Sequence, residues 1–178
     1  MQIRSGITMK ASLKAMQEVI MPAIDPENSM ALEQAQMIIG LLTLLNDRRD
    51  LQTAYDIDAL RRCITLGTEL LAYDNKEQLR ADISAAQFAI EGASAIETTL
   101  TQHIAILNSH ISTIAGQLCA KSDEENSAAR RLILKASAEQ NIRERSWLLM
   151  QGWEPQPENI PDISALLFDI PTKGEAYD

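Results

Sequence analysis

The stretch LRADISAAQFAIEGASAIETTLTQHIAILNSHISTIAGQL, Leu79 to Leu118, decides the fold. Leu79, Ile83, Ala86, Ile90, Ala93, Glu97, Leu100, Ile104, Leu107, Ile111, Ile114 and Leu118 follow one another at alternating spacings of four and three. A strand has a side-chain period of two and cannot hold such a set on one face, whereas an α-helix does. Sustained this long, the heptad predicts one long helix over 76–120 with a narrow seam of coiled-coil type. The segment from Leu79 to Leu118 would span roughly 60 Å as a continuous helix. Gly92 is its soft point, because glycine is a poor helix former.

Helical periodicity extends outward on both sides. Met9, Leu13, Met16 and Ile20 give an apolar stripe over Thr8 to Met21, and Pro22 limits that helix by disfavouring helical geometry in the residue before it. Asp25 is placed to cap a second helix with Pro26 at its first position. Ala31, Ala35, Ile38, Leu42 and Leu45 carry its stripe, and nearly every residue from Met37 to Leu45 is apolar, so cover on most sides is expected. The phase changes between Asn46 and Asp58. Ile57, Leu60, Ile64, Gly67 and Leu71 then resume the pattern, with Asp56 as the expected cap. Residues 73–75, YDN, read as a turn. After AKSDEENS, with Ser122 or Asp123 as the cap, a last helix runs to about Met150. Gly152, Pro155, Pro157 and Pro161 follow it.

Composition agrees with this reading. Only seven of the 178 residues are aromatic, so the core must be aliphatic, which suits helix-on-helix packing. The expectation is an all-α, elongated antiparallel bundle of about five helices around the long central helix 76–120. Residues 1–153 would form one bundle domain and 154–178 an acidic, proline-containing tail. From Glu154 onward six acids face one base, Lys173, leaving −5 of the chain's net charge of −9. That balance argues against nucleic acid and against anionic membrane surfaces, both of which select positive charge. Cys63 and Cys119 are too few for a disulfide framework or a zinc site. The opening MQIRSGITMK lacks the apolar core of a signal peptide, so a cytoplasmic location is expected.

Candidate chemistry is sparse. His103 and His110 lie two helical turns apart, about 10 Å along one axis, too far to hold one metal ion together. Neither has an acid or cysteine three or four residues away on its own helix. Glu-x-x-His, His-Glu-x-x-His, Gly-x-Ser-x-Gly and glycine-rich phosphate loops are absent from the sequence. No catalytic residue, metal or cofactor is therefore expected, and the histidines read as packed or interface residues. Glu97 is the one polar seam residue. It reads as a register-setting or ion-paired group, with a carboxyl of raised pKa as the rival reading. Cys63 follows two arginines, which would favour its thiolate, against the commoner role of a small core residue. Leu166, Leu167 and Phe168, within DISALLFDI, are candidate partner-interface residues. They would dock on the chain's own bundle or on another subunit, with Trp147 and Trp153 as a platform.

Residues 19–45, VIMPAIDPENSMALEQAQMIIGLLTLL, resemble a group of uncharacterised bacterial helical proteins. The match rests on Pro22-Ala23-Ile24-Asp25-Pro26 followed by Glu33-Gln34 and Ile39-Gly40, under a sixth of the chain. The resemblance implies a helical bacterial protein and transfers no site residues.

Two functional expectations follow. The first is a non-enzymatic interaction or accessory protein that forms a homodimer, with a further protein partner possible. Its basis is the long low-charge surface between Ile83 and Ala120, where Glu91 and Glu97 are the only charges. The alternative is a small enzyme or apolar-ligand binder with a cavity between helices lined by Glu97, His103 and His110.

Overall fold

A computed structural model describes residues 5–74, 76–91, 97–120 and 126–167. Among them there are six α-helices and no strands, so the fold is all-α. The helices are α1 (Ser5–Ala15), α2 (Ser29–Arg48), α3 (Gln52–Leu70), α4 (Glu77–Glu91), α5 (Glu97–Cys119) and α6 (Ser127–Trp147). The chain divides into two compact units. The first comprises 1–50 and 145–160, the second 51–144 and 161–178.

In the first unit α1 passes into a π-helical turn, Met16–Ile20, and a 3-10 turn, Met21–Ala23, that carries Pro22. Helix α2 starts later than the sequence suggests. Asn28, not Asp25, is its N-cap, accepting a hydrogen bond from the Ala31 amide at 3.1 Å. Asp25 instead accepts from the Glu27 amide at 3.0 Å, closing the turn that precedes the helix. The Asn28 bond satisfies one of the amides that a helix start leaves without partners.

The expected break after α2 is a 3-10 turn at Arg49–Leu51. Asp56 does not cap α3, which begins four residues before it. It lies inside the helix, buried, with the Gln52 amide donating to its carboxylate at 3.1 and 3.3 Å.

The second unit holds the larger core. Leu60, Ile64 and Leu70 of α3 meet Leu79, Ile83 and Ala86 of α4, and Leu100, Leu107, Ile114 and Leu118 of α5. The described seam positions thus face inward, while Ala93 and the Glu97 side chain lie outside the described residues. Gly67 allows α3 to approach α4 closely, since a Cβ there would stand 3.3 Å from Ile83 Cδ1.

The unbroken helix over 76–120 does not form. His110 Nε2 lies 2.9 Å from Asp82 Oδ2, whereas 28 residues of continuous helix would separate them by about 42 Å. Helix α5 folds back along α4, and the seam closes on itself and on α3. Gly92 lies outside the described residues, between the two helices. The heptad stays in phase on both sides of that gap, so periodicity does not distinguish one rod from two packed ones.

Candidate functional site

Helix α2 carries five exposed large apolar side chains, Met30, Met37, Ile38, Leu41 and Leu45. Its stretch from Ser29 to Asn46 contains one charge, Glu33, yet within α2 only Ala35, Leu44 and Arg48 are buried. At 100° per residue, Met30, Gln34, Met37, Ile38, Leu41 and Leu45 fall within one arc about 100° wide, the width of a face built to be covered. All six are exposed, from Leu41 at 44% and Met37 at 43% to Met30 at 73%. The sequence leads one to expect cover on most sides of this helix. The structure leaves this stripe open and, on its flanks, buries Ala35 and Leu44.

Those flanks are held within the first unit. Gln151 Nε2 donates to the Gly40 carbonyl at 3.0 Å. Arg48 is buried and donates to the carbonyls of Ser146 and Trp147, each at 3.2 Å, with its guanidinium 5.6 Å above the Trp147 ring. A cation at the final carbonyls of α6 complements the negative end of the helix dipole. The apolar side chains this unit buries, among the described residues, are Ala35, Leu44 and Ile160. Ile7, Val19, Ile20, Leu148, Met150 and Trp153 are exposed in addition to the α2 stripe. Trp147 is therefore a partner of Arg48, and Trp153 stands 66% exposed.

The second unit contains an open groove of about 1280 Å³ among α3, α4, α5 and α6. Cys63, Ile104, Asn108, Ile111, Ile133 and Ala136 are among its walls. At its edge Arg62 Nη1 donates to Glu139 Oε2 at 3.1 Å. Neither His103 nor His110 is among its lining residues. Cys63 donates weakly to Asn108 Oδ1 at 3.4 Å, and burial pushes its thiol up to about 11. Burial disfavours the thiolate at this half-buried position, which speaks for the small-core-residue reading of Cys63.

A buried ion cluster lies nearby. The Asp58 side chain, 1% exposed, accepts from Arg62 Nε at 2.7 Å and from Arg143 Nε at 3.1 Å. Arg143 also donates to the Glu139 carbonyl at 2.9 Å and the Leu166 carbonyl at 3.3 Å. Two arginines and two acids make the cluster neutral, and its directional bonds join α3, α6 and the segment at Leu166. Such a buried cluster fixes register more than it adds net stability.

The residues singled out from sequence are dispersed. His110 is half-buried on α5. Its Nε2 donates to Asp82, whose oxygens also accept from Gln78 at 3.1 Å. His103 is half-buried on the same helix. Glu97 opens α5, and its side chain lies outside the described residues. Leu167 is buried and Leu166 half-buried, while Phe168 lies outside the described residues. Among the described residues no group of His, Cys, Asp and Glu is arranged to hold a metal ion, and no helix is long and apolar enough to cross a membrane.

Asp58 and Arg62 stand four apart on α3, a spacing that could have signalled their pair, whereas the contacts of Asp58 with Arg143 and of Asp82 with His110 join different helices and leave no mark in single-helix spacing. The α2 face was visible as apolar, but its exposure was not.

Comparison with models of known families, with curated proteins and with solved structures finds no match to this chain.

Proposed function

We propose that the protein is a non-enzymatic helical interaction protein that self-associates through α2. The observation carrying this reading is the open stripe Met30, Met37, Ile38, Leu41 and Leu45. Isolated exposed apolar residues are common on monomers, but a contiguous helical face of them marks an interaction site. A face common to every copy favours a closed two-fold dimer as the simplest assembly. In this reading the helices stand as an antiparallel bundle, the arrangement that short connections favour, and the bundle serves to present the stripe. Further protein partners would engage the same face, and a bacterial, cytoplasmic setting suits the reading.

Light scattering at tens of micromolar tests it. A mass near twice the chain's 19.7 kDa supports self-association, and a monomer overturns it.

The groove beside Cys63 favours a second reading, an apolar-ligand binder. Native mass spectrometry of freshly purified protein separates the two, because a retained small molecule would support the binder and a ligand-free dimer the interaction protein.

A further inference from the structure

All seven methionines of the chain fall in the first unit, the smaller of the two, and the second unit has none. The second unit fills its core with Leu, Ile and Ala instead. On α2 the open stripe carries two thioethers, Met30 at 73% and Met37 at 43% exposure. Leu or Ile would serve a purely apolar contact there equally well. Flexibility apart, what Met adds is a sulfur that can be oxidised reversibly. We infer that Met30 and Met37 form a reversible oxidation site, at which a hydroperoxide switches the α2 stripe from apolar to polar. The switch rests on the self-association reading and specifies how that contact is regulated.

Solvent access sets the order of reaction. Met30, Met37 and Met150 stand open to reagent, whereas Met9, Met16 and Met21 are half-buried. Met30 and Met37 lie two turns apart on one face, about 10 Å along the axis, so each reacts on its own and both alter the same stripe. In the reaction the thioether sulfur attacks one peroxide oxygen. An S–O bond forms as the O–O bond breaks, and the departing hydroxide takes the proton of the transferred hydroxyl and leaves as water. Sulfur gives up two electrons and becomes a sulfoxide, and the peroxide is reduced.

A sulfoxide is polar, with an oxygen that accepts hydrogen bonds. Among the stripe's other side chains only Gln34 carries a donor. Covering the oxidised stripe therefore takes acceptors out of water into a contact with few donors, which is unfavourable. Because the contact is reversible, oxidant reaches the thioethers of the separated chain and holds it separate. Reduction of the sulfoxides restores the apolar face.

Hydrogen peroxide treatment of the full chain tests the switch, with Cys119→Ser as background because peroxide also attacks an exposed thiol. Peptide mass spectrometry in dilute solution, where separated chains prevail, should find sulfoxide at Met30 and Met37 several-fold sooner than at Met9, Met16 and Met21. Sedimentation velocity at tens of micromolar should show a dimer before treatment, a monomer after it, and a dimer again after methionine sulfoxide reductases. Adding Met30→Leu and Met37→Leu keeps the stripe apolar, and that protein should stay dimeric through the same treatment, with circular dichroism verifying helicity. Even oxidation of these five methionines, or a treated background protein that remains dimeric, would overturn the switch and leave self-association standing. Loss of the dimer in the leucine variant would also overturn it, by placing the sensitive residue elsewhere. A background protein monomeric before treatment would overturn the self-association reading, and the switch with it.

Discussion

Asp82 on α4 and His110 on α5 meet at 2.9 Å, and their contact records the point at which a continuous heptad becomes two packed helices. The pair is partly exposed, at 21% and 24%, so solvent screens it and its contribution is that of a modest hydrogen bond. Asp82→Asn and His110→Ala should each lower stability by about 0.5–1 kcal/mol in urea denaturation. The double variant should lose less than the sum. Strict additivity would mean that the two residues do not interact in solution.

Asp58 predicts a larger effect. Removing one partner of a buried ion pair leaves an uncompensated charge, so Asp58→Ala should cost about 3–5 kcal/mol. Replacing both charges, as Asp58→Leu with Arg143→Met, should recover most of that loss, because the cluster's desolvation cost disappears with it. Equilibrium denaturation of the three proteins checks this. A double variant less stable than Asp58→Ala would assign the cluster a net stabilising role.

Cys63 makes stability depend on alkaline pH. Its thiol is raised from 9.0 to about 11 by burial, so the folded state holds the proton more tightly than the unfolded one. The stability linked to this group is fully present below about pH 9 and declines as pH rises towards 11. The slope is roughly 1.4 kcal/mol per pH unit. Cys63→Ala should flatten the decline relative to wild type, a difference that cancels the titration of other groups. Thiol labelling at pH 8 offers an independent check. The exposed Cys119 should react faster than the half-buried Cys63, whose raised pKa leaves less thiolate at that pH. Equal labelling rates would contradict the raised pKa of Cys63.

The helical class and the seam were legible in the sequence because inward positions repeat at four and three whichever helix covers them. Leu79, Leu100, Leu107 and Ile114 are buried as their spacing requires. The reversal between α4 and α5 was not legible, since the residues on either side of Gly92 keep one phase. The true N-cap Asn28 lost to Asp25-Pro26 because both stretches offer a side-chain acceptor, and only the chain's path decides between them. The apolar character of α2 was plain from Met37 to Leu45. Its open face was not, because periodicity identifies a face that needs cover and says nothing of what supplies it. Of the candidate site, the two histidines were found and the Asp82 partner of His110 was missed. The Asp58 cluster depends on Arg143, 85 residues away, a contact that no local spacing encodes.

The central claim is that the α2 stripe carries self-association, and sedimentation velocity of wild type beside Leu41→Glu tests it most directly. Leu41 is exposed in the single chain, so a charge there leaves the fold intact but places an unpaired carboxylate inside the interface. The account predicts a reversible dimer for wild type at tens of micromolar and a monomer for Leu41→Glu with unchanged helicity. A monomeric wild type, or a variant that dimerises as tightly as wild type, would contradict it.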